Sequence, residues 1–241
     1  MTGETKTTSA VSQLGLIFTG GEGPVTEQIL CIMREAQILS GDKLLLVAAD
    51  SGLLLAEKAG LKSDWIIGDM DSLGIEESRL AAYPAEKILR FPEDKDFTDT
   101  ELAFSLLREK GCKRIWIIGG GGGRLDQLLG LRSLFERNDP PERWITAAED
   151  IRCLEALQRH EIFVPSELVV SSAHNDPLFP VSVFPLGNGP WNAESSGLKW
   201  SLSGLPWRRD FIAISNEAPD GIFSISAIYG RFLVLMPFFL E

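Results

Sequence analysis

The sequence predicts an α/β protein: a Rossmann-like, mostly parallel sheet with flanking helices, followed by a smaller all-β sandwich domain. Two observations carry this. From Leu14 to about residue 148, short apolar runs alternate with stretches of helical period, the pattern of repeated βαβ units. After about residue 150 the helical period fades, and short alternating segments lie between clusters of Gly, Pro, Asn and Ser, as in a sandwich. The expected domains are therefore 1–150 and 151–241.

In chain order, strands are expected at 14–19, 44–49, 65–67, 87–91 and 114–118, apolar runs of the kind buried in a parallel sheet. Helices are expected at 27–39, 52–59, 76–82, 99–109 and 125–137. The fourth carries a start signal, because Thr98 followed three residues later by Glu101 makes a capping box and puts Asp99 in the first helical turn. In the second half, strands are expected at 181–184, 211–215 and 223–228.

Composition narrows the chemistry. An apolar fraction of 44% and a charged fraction of 24% are ordinary for a globular protein and exclude disordered and fibrous classes. The first ten residues are polar and include Glu4 and Lys6, unlike a secretory leader. The longest apolar stretch, 232–240, contains Pro237 and is too short to cross a bilayer, so a cytoplasmic protein without membrane contact is expected. Cys31, Cys112 and Cys153 are too widely spaced for a disulfide framework or a Cys-x-x-Cys metal site. With His160 and His174 the only histidines, zinc sites and Ser-His-Asp triads have few possible members, which leaves the carboxylates to carry the chemistry. A net charge of −11 repels nucleic acid. It also disfavours an anionic nucleotide unless a metal ion and a few placed cations reverse the local field.

In open parallel sheets ligands bind beyond the carboxyl ends of the strands, and four such ends are acidic or glycine-rich. Asp50-Ser51-Gly52 follows the second strand; alone it is an ordinary Asx turn. Gly68-Asp69-Met70-Asp71-Ser72 follows the third, with two carboxylates one residue apart that can reach one hard cation or else form a polar turn with a helix cap. Asp94-Lys95-Asp96-Phe97-Thr98-Asp99 packs three carboxylates around Lys95, more than capping requires; held close, they would repel without a cation, and Lys95 suits a phosphate oxygen. Glycines 119–123, then Arg124-Leu125-Asp126-Gln127, place a closely approachable backbone before a helix start, a setting for phosphates that lacks the Gly-Lys-Ser/Thr of a Walker A loop.

In order and combination, Asp50, Gly52, Gly68, Asp69, Asp71, Ser72, Asp96, Thr98, Asp99, Gly122, Gly123, Arg124 and Asp126 resemble the thiamine pyrophosphokinase family. Gly197-Leu198-Lys199-Trp200 and Ser215-Asn216-Glu217 look like its thiamine-side motifs. The chain departs from the family pattern at Ser51, usually glycine, and at Gln127, usually histidine.

The resemblance implies transfer of a diphosphate from ATP to the hydroxyl of thiamine, giving thiamine diphosphate and AMP. It implies magnesium on Asp50, Asp69, Asp71 and Asp99, and ATP met by Asp50, Gly52, Lys95, Asp96, Thr98, Gly122, Gly123, Arg124 and Gln127. Asp71, Asp99, Arg124 and Asp126 would form the catalytic group, with Asp126 holding Arg124 or a ligand in register; the hydroxyl would be activated either by Asp71 or Asp99 as base or by the metal. Trp200 would stack on the thiamine rings while Ser215 and Asn216 bond the pyrimidine edge. A twofold homodimer with the site at the subunit interface is expected. Two other readings compete: a pyrophosphokinase for another alcohol, such as a hydroxymethylpterin, and a non-catalytic thiamine or nucleotide sensor.

Overall fold

The computed structural model describes residues 13–70, 77–92, 94, 96–163 and 179–238. The chain forms two compact units, one built from residues up to Phe18 with Thr26–Ile115, the other from Thr19–Val25 with residues from Trp116 onward.

In the first unit, β1 (Leu14–Thr19), β2 (Leu44–Ala49), β3 (Trp65–Gly68) and β4 (Ile88–Arg90) pair in that order, all parallel. Every residue of β1 is buried, as its unbroken apolar run requires. Between the strands run α1 (Thr26–Ser40), α2 (Gly52–Lys58), α3 (Glu77–Leu80) and, after β4, α4 (Asp99–Glu109). α1 buries Ile29, Ile32, Met33 and Ala36, and α4 buries Thr100, Ala103, Phe104 and Leu107, each set at the three- and four-residue spacing of one helical face. α4 packs against β2 and β3. Its capping box forms as expected: Thr98 N–H donates to Glu101 Oε2 at 2.9 Å, and Glu101 N–H donates to Thr98 Oγ1 at 3.2 Å.

Several elements are shorter than the sequence suggests. Among the described residues the helix expected at 76–82 ends at Leu80, the strand expected at 87–91 spans Ile88–Arg90, and the helix expected at 125–137 ends at Leu134. Pro84 separates the first two. It disfavours helical backbone at Tyr83 and opens a 3-10 turn, Ala85–Lys87, ahead of the strand.

The second unit contains β5 from Trp116 onward (Arg114–Gly119), α5 (Leu125–Leu134) and two sheets. β6 (Arg143–Ile145) runs parallel to β5 and antiparallel to β7 (Glu149–Leu154). From β7 the sheet continues through β13 (Arg231–Pro237) and β9 (Val181–Leu186) to β11 (Ala213–Asn216), all antiparallel. The other sheet orders β10 (Asn192–Ser196), β12 (Ile222–Tyr229) and β8 (Arg159–Phe163). Val181, Val183, Phe232 and Val234 of the first sheet pack with Ile162, Phe223, Ile225 and Ala227 of the second in one cluster, which makes the sandwich expected from the sequence. One of its sheets runs on through β7 and β6 to β5.

The sequence reading did not anticipate β6, β7, β8, β10 or β13. β6 and β7 hide their apolar pattern behind charge: Arg143 and Asp150, both with side chains 6% exposed, pair at 2.7 Å, and Arg152 adds a second ion pair to Asp150 at 2.8 Å. Burial alone would raise the Asp150 carboxyl, but the two guanidinium groups outweigh it and hold it below the usual carboxylate range. β13 is apolar throughout its middle because it is a central strand, with β7 on one side and β9 on the other. No helix among the described residues is long and apolar enough to cross a membrane.

Candidate functional site

Parallel β2 and β3 end level, Ala49 opposite Ile67, so Asp50 and Gly68-Asp69 leave the sheet side by side. Asp50 N–H donates to Ile67 O at 2.9 Å, and its φ of 48° is left-handed, a region aspartate tolerates better than most residues. A β-carbon on Gly68 would overlap Asp50 Oδ1, so glycine is what lets the two segments meet. One residue past Asp69, Met70 also takes a left-handed φ, 66°, and is buried with Ala48, Leu53, Ile66, Leu80 and Tyr83. The core thus anchors this loop while Asp69 stays half-buried beside it.

Gly52 is buried at the start of α2, whose N-cap residue, Ser51, makes no side-chain cap bond. Phe91 N–H donates to Gly68 O at 3.1 Å, which brings the chain after β4 beside the same loop. Beyond it Asp94 and Asp96 are exposed, Thr98 caps α4, and Asp99 is half-buried in the first turn. Asp71 and Lys95 lie outside the described residues.

Among the described residues no three His, Cys, Asp or Glu side chains gather closely enough to hold a metal ion. Asp50, Asp69 and Asp99 therefore do not form a ready-made three-carboxylate cage. Magnesium does not need one: it is usually bound by one or two carboxylates plus substrate phosphates and waters. The paired strand ends at Asp50 and Asp69, all-oxygen and joined through the Asp50–Gly68 contact, fit that requirement. Two of the three thiols are held protonated, since burial pushes Cys112 and Cys153 up to about 11 and about 12.

The glycine run is held, not loose. Gly120 N–H donates to Gly20 O at 2.9 Å, Glu22 N–H to Gly121 O at 2.7 Å, and Gly121 N–H to Glu22 O at 2.9 Å. A β-carbon on Gly121 would come within 2.9 Å of both Glu22 O and Thr146 Cβ, and one on Gly122 within 2.5 Å of Glu22 Cδ, whereas Gly123 faces open space. At the start of α5, Arg124 grips Asp126 with two bonds, Nε to Oδ1 at 3.1 Å and Nη2 to Oδ2 at 2.5 Å. Those hydrogen bonds, more than charge alone, raise the Arg124 guanidinium above and lower the Asp126 carboxyl below their ordinary ranges. Asp126 Oδ1 also accepts from Gln127 N–H at 3.0 Å, and the Gln127 side chain is exposed.

In the sandwich, Trp200 and Asn216 lock together. Trp200 N–H donates to Asn216 Oδ1 at 3.1 Å, Asn216 Nδ2 donates to Trp200 O at 2.6 Å, and Glu217 N–H also donates to Asn216 Oδ1 at 2.9 Å. Asn216 is only 4% exposed, so its amide serves the Trp200 backbone, while Trp200 as a whole is 53% exposed. Lys199 pairs with Glu217 at 2.8 Å and places Nζ 4.5 Å from the Trp200 ring centroid, covering one face. Ser215, exposed and at φ 55°, sits next to this clamp.

Sequence reasoning missed the turn after β1. Gly20-Gly21-Glu22 was legible by the rule that drew attention to the other strand ends, a glycine-rich acidic segment directly after a buried strand, and it proves to be the brace of the glycine run. Lys199 and Glu217 were visible as motif letters, but their bridge was not.

Fold and site together define a class: an α/β protein with carboxylates and a glycine loop at its strand ends, carrying an antiparallel sandwich. Residues 36–142 match the family model of the thiamin pyrophosphokinase catalytic domain. The chain is 30% identical over 175 residues to thiamine pyrophosphokinase 2 of Arabidopsis thaliana, an alignment covering 69% of this chain and 62% of that one. It is 26% identical over 157 residues to thiamine pyrophosphokinase of Bacillus subtilis, covering 65% and 70%. The crystal structure of thiamin pyrophosphokinase from Geobacillus thermodenitrificans superposes with a TM-score of 0.65 at 19% identity, covering 94% of this chain and 98% of that one. The yeast enzyme superposes with a TM-score of 0.58 at 16% identity, covering 97% and 88%. These two likenesses are of fold. Over residues 36–142 the chain resembles the thiamin pyrophosphokinase family. It spans about three-fifths of the length of the Arabidopsis relatives it matches, 62% and 57%.

Proposed function

We propose that this chain catalyses transfer of a diphosphate from ATP to the hydroxyl of thiamine. The thiamine oxygen attacks the β-phosphorus, the bond from that phosphorus to the α-phosphate oxygen breaks, AMP leaves, and the hydroxyl proton passes to a carboxylate, Asp71 or Asp99. The observation that most supports this is the Asp50–Gly68 contact, which joins two motifs eighteen residues apart into one oxygen-donor strand end. Phosphoryl chemistry of this kind rests on positioning and charge neutralisation more than on covalent help from the protein. That suits a chain rich in Asp and poor in His.

Asp50 and Asp69, with Asp71 and Asp99, would hold magnesium, which when bound offsets the charge of the phosphates. Gly122 and Gly123 present backbone to phosphate oxygens, with Lys95, Gln127 and the planar fork of Arg124. Asp126 keeps that fork oriented, and Gly52, Asp96 and Thr98 shape the nucleotide side. Trp200 offers its ring to the flat thiamine cation, Ser215 bonds the pyrimidine edge, and Asn216 acts by fixing the Trp200 backbone. The functional division at 150, a cytoplasmic location and a twofold homodimer with the site at its interface belong to the same reading.

Incubating the purified chain with ATP, magnesium and thiamine, and separating products by chromatography, tests it. Equal amounts of AMP and thiamine diphosphate are expected, abolished by chelation. Absence of AMP, or faster turnover of a hydroxymethylpterin than of thiamine, overturns it.

A further inference from the structure

We propose that Glu22 sets nucleotide specificity by accepting a hydrogen bond from a ribose hydroxyl of the ATP bound at the glycine loop. This rests on the ATP reading above and adds a residue that neither the family motifs nor the sequence reading assigns.

Three features of the turn after β1 carry it. The Glu22 backbone is fixed on both sides by its paired bonds with Gly121, at 2.7 and 2.9 Å, so its position is set by the loop itself. Its side chain lies on Gly122: a β-carbon there would sit 2.5 Å from Glu22 Cδ and 2.7 Å from Oε1. Yet the residue is exposed, so a ligand lying along the loop meets the carboxylate.

An ionised carboxylate only accepts hydrogen bonds. Facing a phosphate it would repel, so the ligand group beside Glu22 must be a neutral donor. ATP offers two kinds, the ribose hydroxyls and the adenine amino group. With phosphates on the glycine loop, the ribose is the adjoining part and the amino group the far edge of the base. An acidic residue paired with ribose hydroxyls beside a glycine-rich phosphate loop is the arrangement other doubly wound nucleotide folds use. A hydroxyl that donates to this carboxylate in the complex contributes affinity that a deoxynucleotide lacks, which is how one hydroxyl can be discriminated.

Isothermal titration of the wild type, Glu22→Gln and Glu22→Ala with the magnesium complexes of ATP, 2′-deoxy-ATP and 3′-deoxy-ATP tests this without relying on turnover. The wild type is expected to bind ATP at least about tenfold more tightly than one deoxynucleotide, and the arm that weakens identifies the hydroxyl. In Glu22→Ala the ratio should fall to within about threefold, with Glu22→Gln between, and circular dichroism should be unchanged. Equal wild-type affinity for all three nucleotides overturns the proposal, as does discrimination that survives in Glu22→Ala. A merely structural role would weaken all three alike and leave the ratio intact, and a metal-ligand role would change the magnesium requirement instead; either result also overturns it. If the wild type binds ATP and discriminates but releases no AMP, the reaction reading fails while Glu22 keeps its role.

Discussion

Asp50 Oδ1 fills the space in which Gly68 has no side chain. The contact ties the ends of β2 and β3 together, and a methyl group is enough to break it. Gly68→Ala should displace Asp50 or push the Asp69 loop outward, destabilising the first unit by about 1–3 kcal/mol. Turnover should fall about 100-fold, with a raised magnesium requirement. Magnesium-dependent rates together with a thermal melt check this; a variant with normal rate and normal magnesium dependence would show that the contact has no functional role.

On the proposed reading, Asn216→Ala should weaken thiamine binding and leave ATP binding unchanged. Losing the amide leaves the Trp200 N–H and C=O without their partner and frees the ring to move. A destabilisation of about 1–3 kcal/mol is expected. The thiamine KM should rise about tenfold with the ATP KM unchanged, the scale of one lost aromatic anchor. Quenching of tryptophan emission during a thiamine titration reports the same loss. An Asn216→Ala enzyme with wild-type thiamine KM would mean the clamp is dispensable.

The Arg143–Asp150 pair makes a prediction about stability only. Both side chains are 6% exposed, so Asp150→Ala leaves Arg143 buried without its carboxylate. The expected loss is about 3–5 kcal/mol, read from urea unfolding. Arg152→Ala should cost less, because that side chain is 22% exposed. Similar small losses in both variants would contradict the buried-pair account.

His160 links stability to pH. Burial is the main cause, with Arg152 and Arg143 opposing its charge and Asp150 and Glu142 favouring it, and together they push its pKa from 6.5 down to about 4. The folded state therefore holds the neutral ring while the unfolded chain takes up a proton below 6.5. Stability from this group is complete above pH 6.5 and is lost as the pH falls toward 4. Between pH 7 and pH 5 the loss is about 2 kcal/mol. Urea midpoints for wild type and His160→Gln at both values isolate it: the variant should fall less steeply, and parallel slopes would refute the assignment.

Much of the first unit was legible because each element there carries its own signal. The β2 run of six apolar residues and the Thr98–Glu101 box can be recognised without knowing their neighbours, and in the second unit the same holds for the glycines at 119–123. β7 was not legible, since Glu149, Asp150 and Arg152 read as a surface segment until Arg143 is seen across the hairpin. β10, Asn-Ala-Glu-Ser-Ser, is an edge strand with Ala193 its sole buried position, too little to make a pattern. Pro84 was readable as a breaker, yet its effect on both neighbouring elements came out only in the backbone.

Local chemistry, then, determined the fold class, the candidate strand ends and the family resemblance, because propensity, capping and motif order are properties of adjacent residues. Tertiary structure decided which groups touch. That Asp50 lies on Gly68, that Glu22 braces the glycine run, and that Asn216 serves Trp200 while Ser215 stays exposed all depend on residues brought together from distant parts of the chain. Such contacts are settled by packing and by the need to satisfy buried polar groups, and neither quantity exists until the chain has folded.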